Sequence, residues 1–213
     1  MRTDFEHFEI PLDDLLKALP ANVVKDTKNF EDILNLDTNL RREVYLYDIE
    51  DGTGTSIDNY IRFWNHYDAD HNIPVEERTP IKIIIDSCGG SLSDTLTIID
   101  SIRNSKTPVW TIAVGCTYSG GFFSFISGHK RLAYPHASFL FHEGSTQNGG
   151  TSSQFENYTA FYKKTLGQLK DITLKYTNIS EAEYDEIHKD DVWYTVEEGL
   201  EKGFIDEVVT EVF

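Results

Sequence analysis

The spacing of apolar residues changes several times along the chain, and each change marks an element. Leu12, Leu15, Leu16 and Leu19 recur at intervals of three and four before Pro20, which predicts a short amphipathic helix. Phe30, Ile33, Leu34 and Leu36 form another short apolar segment. Residues 1–40 differ in character from the rest and are read as an arm packed on a main domain of residues 41–213. From there strand and helix patterns alternate. Glu43 to Ile49 reads as a strand, ended by Asp51-Gly-Thr-Gly. Ser56 to Tyr67 reads as a helix with Ile57, Tyr60, Ile61 and Trp64 on one face, and 68–80 as a polar loop. Ile81 to Ile85 is a short continuous apolar run, as in a buried parallel strand. Leu92, Leu96, Ile99 and Ile102 mark a helix, Val109 to Val114 a strand and Gly120 to Ser127 a helix. Two short strands follow, near Arg131–Tyr134 and Ser138–His142. This alternation predicts an α/β domain built from βαβ units.

One long helix is predicted over 153–177. Ser153-x-x-Glu156 reads as its capping box, and Phe155, Tyr158, Tyr162, Leu166, Leu169, Ile172 and Tyr176 step by three and four beyond it. At 3.6 residues per turn the stripe covers about six turns, and its apolar face is either core or an oligomer contact. Ser180-x-x-Glu183 and Thr195-x-x-Glu198 are further capping boxes, so two short helices close the chain.

Composition narrows the function. At 213 residues, 39% hydrophobic and 26% charged, the chain is an ordinary globular sequence. No run is long and apolar enough to span a bilayer, and Met1 to Phe8 lacks the layout of a signal peptide, so the expected location is cytoplasmic. A net charge of −17 repels phosphate backbones and anionic lipid, which argues against nucleic acid and membrane as partners. Cys88 and Cys116 read as free thiols. The seven histidines form no HExxH pair, and neither metal nor cofactor is expected.

Three segments carry candidate chemistry. Asp86-Ser-Cys-Gly-Gly-Ser91 lies between a strand and a helix, where paired glycines permit a sharp turn and expose amide N–H groups. Gly115-Cys-Thr-Tyr-Ser119-Gly-Gly-Phe-Phe again follows a strand and opens a helix. A serine there is an ordinary N-cap, or a nucleophile whose developing negative charge the helix terminus stabilises. The G-x-S-x-G elbow is absent, because position 117 is Thr. Ser138-Phe-Leu-Phe-His142-Glu-Gly144 places a histidine at the end of an apolar strand.

Together with Asp191-Val-Trp-Tyr-Thr and the closing Glu198-Gly-Leu-Glu-Lys-Gly-Phe-Ile-Asp206, these segments resemble the ClpP peptidase family in order and spacing over roughly residues 40–210. The resemblance implies a ClpP/crotonase-like spiral of βαβ units with a protruding long helix for oligomer contacts. It implies Ser119 as nucleophile, His142 as general base and Asp191 as the group that orients the histidine, with Asp190 one residue away as the competing aspartate. It implies an oxyanion hole from the amides of Gly90 and Gly120. It further implies a peptide or unfolded-protein substrate, a homo-oligomeric ring enclosing a chamber, and a Clp-type ATPase as the candidate partner. Ile84, Ile112, Val114 and Tyr134 match the family's apolar docking surface, with Lys82 where an aromatic is common. Other departures are Cys88 for the usual proline, Gly120 for methionine and Asp190 for an arginine of inter-ring contacts.

Three rival readings stand beside the endopeptidase. A crotonase-like acyl-CoA enzyme shares the fold but does not need Ser119, His142 and Asp191 together. A non-catalytic ring subunit would typically lose one of the three. A processing protease of signal-peptide or viral capsid-maturation type fits the divergent first forty residues.

Overall fold

The computed structural model describes residues 38–211, so the helix expected at 12–19 and the apolar segment at 30–36 lie outside the described residues. The chain divides into two units, Met1–Glu43 and Val44–Phe213. The second unit is an α/β domain. Its elements are β1 (Glu43–Leu46), α1 (Thr53–Asp70), β2 (Ile81–Ser87), α2 (Leu92–Asn104), β3 (Val109–Tyr118), α3 (Gly120–Ile126), β4 (Lys130–Ala133), β5 (Ser138–Phe141), α4 (Ser152–Tyr176), α5 (Glu181–Ile187), β6 (Val192–Tyr194), α6 (Val196–Glu201) and β7 (Glu207–Val208).

The sheet runs in the order β1-β2-β3-β4-β7, and β5 leaves this path to pair with β3 and β6. Pairings β2–β3, β3–β4, β3–β5 and β4–β7 are parallel, and β5–β6 is antiparallel. The crossovers β2-α2-β3 and β3-α3-β4 are the βαβ units that the alternation predicts. Ile81, Ile83 and Ile85 enter the main core, where Phe122, Phe125, Phe139, Phe141 and Phe204 are fully buried. Phe122 meets Phe141 and Phe204 edge-on, with centroids 5.8 Å and 5.2 Å apart. Burying each such ring stabilises by about 1.5–3 kcal/mol, and this cluster fixes α3 against β5.

The opposite face of the sheet carries a smaller cluster of Ile84, Ile112, Leu132 and Val209, flanked by the partly buried Trp110, Val114 and Tyr134. The apolar surface expected at Ile84, Ile112, Val114 and Tyr134 is therefore one patch, but Ile112 is only 1% exposed and cannot itself be touched by a partner.

Several boundaries differ from expectation for local reasons. Helix α1 begins at Thr53, inside the glycine run expected to be a turn, and continues to Asp70. A 3-10 turn at Val75–Glu77 interrupts the loop expected over 68–80. Strand β3 continues past Val114 to Tyr118 through an irregularity opposite Ile85 and Ser87. Strand β6, between the closing helices, and β7, after the last of them, are not predicted by the sequence pattern. Helix α4 is capped two residues earlier than expected: Thr151 and Gln154, not Ser153 and Glu156, form the reciprocal box. At α5 Ser180 accepts from the Glu183 amide, but the Glu183 carboxylate goes to Lys202 Nζ instead of closing the box. Thr195 and Glu198 form a full box at α6.

Candidate active site

Strand β3 delivers Ser119. It stands at the N-cap position of α3 with φ 52° and ψ −120°, and its side chain makes no capping bond. Such a backbone costs a non-glycine residue about 1–3 kcal/mol and persists only where its surroundings enforce it. Here the Ser119 amide donates to Leu140 O at 3.0 Å, while Phe123 N–H donates to Ser119 O at 3.2 Å. All seven residues of α3 are buried, so the turn cannot relax toward solvent.

The bond to Leu140 also sets the distance to the histidine, because β5 ends at Phe141 and His142 follows. Phe141 pairs with Val192 in the antiparallel β5–β6 ladder, so the residues just outside it, His142 and Asp191, stand side by side. Asp191 Oδ1 lies 3.2 Å from His142 Nδ1. Asp190 instead closes the turn after α5, its amide donating to Ile187 O at 3.0 Å. The other ring nitrogen, His142 Nε2, is buried without a hydrogen-bond partner, so Ser119 is not bonded to it in this state.

The third part is the glycine turn between β2 and α2. Ile49 brackets it: Ile49 N–H donates to Gly89 O at 2.8 Å and Ser91 N–H donates to Ile49 O at 2.7 Å. A parallel bridge of this kind turns the amide of the residue between, Gly90, away from Ile49. Gly90 has φ 143°, and a Cβ there would come within 2.1 Å of Ile49 O. Gly89, at φ 93°, backs directly onto the serine; its Cβ would lie 2.7 Å from Ser119 Cβ. A Cβ on Gly120 would sit 3.5 Å from Gly90 N, which places the two glycine backbones side by side next to Ser119.

Gly90, Ser119, Gly120 and His142 line one cavity of about 440 Å³. Leu92, Phe123 and Leu169 give it apolar walls, and Tyr158 and Tyr162 of α4 close one side. A larger hollow of about 550 Å³ between α1 and α2 contains His66 but neither serine nor histidine of this constellation. The structure thus brings together Ser119, His142, Asp191, Gly90 and Gly120 and leaves Asp190 outside. Thr95 escapes the reading of the sequence, as does the place of Tyr158 and Tyr162 in the cavity. The glycine pair before α2 gives Gly89 as part of the turn; the spacing gives the tyrosines only as part of the α4 stripe, and the path of α4 brings them to the cavity.

Comparison with known proteins decides the family. The Clp protease family model matches residues 74–212. The chain belongs to the Clp protease family. Among its Clp relatives, proteolytic subunit 1 of the ATP-dependent Clp protease of Streptomyces avermitilis is 34% identical over 136 residues, 63% of each chain. The corresponding subunit of Lactococcus lactis subsp. lactis is 33% identical over 168 residues, covering 76% of this chain and 79% of the relative. Proteolytic subunit 2 of Rhodococcus jostii is 30% identical over 132 residues, 61% of this chain and 68% of the relative. The match thus spans less than two thirds of the Streptomyces subunit's length. No helix among the described residues is long and apolar enough to cross a membrane.

Proposed function

We propose that the protein is a serine endopeptidase in which Ser119, His142 and Asp191 form the catalytic triad and the Gly90 and Gly120 amides the oxyanion hole. The observation that carries this reading is His142. One ring nitrogen faces Asp191 at 3.2 Å, and the other is buried and unpartnered in the cavity that holds Ser119. A carboxylate on Nδ1–H fixes the tautomer that leaves Nε2 able to accept a proton. In the reaction Ser119 Oγ attacks the substrate carbonyl carbon as its proton passes to His142 Nε2. The carbonyl oxygen becomes an oxyanion, received by the two amides and by the N-terminus of α3, and each such donor is worth about 3 kcal/mol. Collapse expels the amine, which takes the proton from His142. Water, deprotonated by the same nitrogen, then attacks the acyl carbon, and His142 returns that proton to Ser119 Oγ as the acyl–oxygen bond breaks.

The substrate class is peptide or unfolded protein, and the setting a chamber formed by a homo-oligomer. The relatives are named proteolytic subunits of an ATP-dependent protease, which supports an oligomer fed by a Clp-type ATPase. The half-buried Trp110, Val114 and Tyr134 offer the contact surface for that ATPase. The boundary between an arm of residues 1–40 and a peptidase domain of 41–213 belongs to the same proposal.

A fluorophosphonate probe tests the reading. It should label the purified protein at Ser119, and Ser119→Ala should abolish both labelling and hydrolysis of a fluorogenic peptide, down to the roughly 10³-fold residual over water that the oxyanion hole alone sustains. Wild-type turnover in the folded Ser119→Ala protein would refute the assignment.

A further inference from the structure

Helix α1 starts without a side-chain acceptor of its own: its N-cap is Gly52, at φ 91°, and the first-turn Ser56 Oγ donates to Gly52 O at 3.1 Å instead of capping an amide. The missing acceptor comes from a distant part of the chain. Asp94 Oδ1 accepts from Gly52 N–H at 3.0 Å and from Gly54 N–H at 2.9 Å. Gly54 is required for this approach, because a Cβ there would lie 2.8 Å from Asp94 O. The second oxygen is also engaged: Ser91 Oγ–H donates to Asp94 Oδ2 at 2.7 Å, and Ser91 Oγ in turn caps α2. Asp94 is 7% exposed, so its charge is held by these donors and not by solvent.

One carboxylate therefore joins two loops. The first begins at Ile49, whose amide and carbonyl bracket Gly90 by bonding Gly89 O and Ser91 N–H; the second is the Gly89–Ser91 turn itself. Asp94 fastens the first loop through Gly52 and Gly54 and the second through Ser91, so it closes a ring of hydrogen bonds around the Gly90 amide. An oxyanion donor works only when it is aimed in advance, and a glycine at φ 143° has no steric preference of its own to aim it.

We propose that Asp94 is a positioning residue for the oxyanion hole, holding the Gly90 amide in line through Ser91 on one side and the Ile49–Gly54 loop on the other. The inference rests on Ser119 being the nucleophile. Asp94→Ala should lower kcat by about 10- to 100-fold, less than outright removal of a donor, with KM changed less than about threefold. Affinity for a peptide boronic acid, whose tetrahedral adduct at serine directs an oxygen to the amides, should fall in parallel with kcat/KM. Loss of folded protein would lower the active fraction but not that affinity. Asp94→Asn keeps an acceptor for α1 and a polar group for Ser91 and should recover most of kcat. Ser91→Ala removes the link to Oδ2 together with the α2 cap, leaves the bonds to Gly52 and Gly54, and should show a smaller loss in the same direction; it decides the matter if Asp94→Ala does not fold. Wild-type kcat in folded Asp94→Ala, or in Ser91→Ala where that variant decides, overturns the inference, as does a loss of kcat with unchanged boronate affinity. Turnover that survives Ser119→Ala would instead remove the nucleophile assignment, and the inference with it.

Discussion

The space around Ser119 is set by atoms that have no room to move. At Gly120 a Cβ would approach Thr95 Oγ1 to 2.4 Å, and Thr95 is itself fully buried and bonded to Ser91 O at 2.8 Å. The family usually carries methionine at position 120; here Thr95 occupies part of the volume that such a side chain would need. Gly120→Ala should therefore cost about 1–3 kcal/mol of stability through overpacking and lower peptide turnover, and Thr95→Ala in the same chain should restore much of both. Steady-state kinetics and urea unfolding of the two single variants and the double variant check this coupling. The two adjacent aspartates separate in the same way. Asp191→Asn should reduce kcat by about 10⁴-fold by disturbing the imidazole tautomer, whereas Asp190→Asn, whose residue is tied only through its backbone to α5, should leave kcat within about threefold. A larger loss at Asp190 would move the carboxylate by one residue. Ser119 and His142 stand out in the sequence only in combination, a serine opening a helix after one strand and a histidine ending another, in the order of the family. Thr95 does not, since its importance lies in a close approach to Gly120 from a segment distant in sequence, which no local pattern records.

Helix starts and strand ends decide where those residues stand. Thr151, Ser152 and Ser153 all suit an N-cap, and Gln154 and Glu156 both suit its partner, so the sequence offers two frames for α4. The hydrogen bonds choose Thr151: its amide donates to Gln154 Oε1 at 2.9 Å, and Gln154 N–H donates back to its hydroxyl. Thr151→Ala should weaken this turn by about 1 kcal/mol, seen as roughly fivefold faster exchange of the first-turn amides, and Ser153→Ala should not. At α1 the cap is Asp94, and its linkage to pH has a definite sign. Ser91 and then the Gly54 amide hold the Asp94 carboxyl below its ordinary 3.8, against the opposing effect of burial. A depressed native pKa contributes stability that is complete above the unfolded value and is lost as the pH falls through the native one. The stability advantage of the wild type over Asp94→Asn should thus be constant above about pH 5 and shrink below about pH 4, as urea midpoints across this range would show. The alternation of apolar runs identified β1 to β5 and the helices between them because each is long enough to show a period. Strands β6 and β7, of three and two residues, have none. They exist because the sheet offers open edges beside β5 and β4.

Assembly belongs to the whole molecule, and α4 carries the argument. The stripe predicted along it divides into two parts. Leu169 is buried in the subunit's own core, with Leu166, Ile172 and Tyr176 packed against that core, while Tyr158 and Tyr162 line the active-site cavity. Leu169 at least is closed to a partner, and the others are partly covered within the subunit. Phe155 and Phe161, in the first half of the helix, are 53% and 66% exposed, and only Thr165, Leu169 and Thr173 of the whole helix are buried. Under the proposed homo-oligomer, these two exposed aromatic side chains are the candidates on α4 for contact with a second copy. Phe155→Asp with Phe161→Asp should then reduce an assembly to its 24.4 kDa subunit in light scattering. A charge of −17 on every subunit adds a condition, because each added copy must overcome repulsion between like-charged surfaces. Salt shortens the range of that repulsion, to about 8 Å at physiological ionic strength and about 3 Å at 1 M, so the wild-type assembly should tighten as salt is raised. The sign of the new charge gives the control. Phe161→Lys inserts a charge as costly to bury as Phe161→Asp but lowers the net negative charge. If apolar burial holds the subunits together, both variants dissociate. If long-range repulsion dominates the balance, the lysine variant stays assembled at low salt where the aspartate variant does not. A protein that stays monomeric at micromolar concentration across the whole salt range would remove the homo-oligomer from the reading.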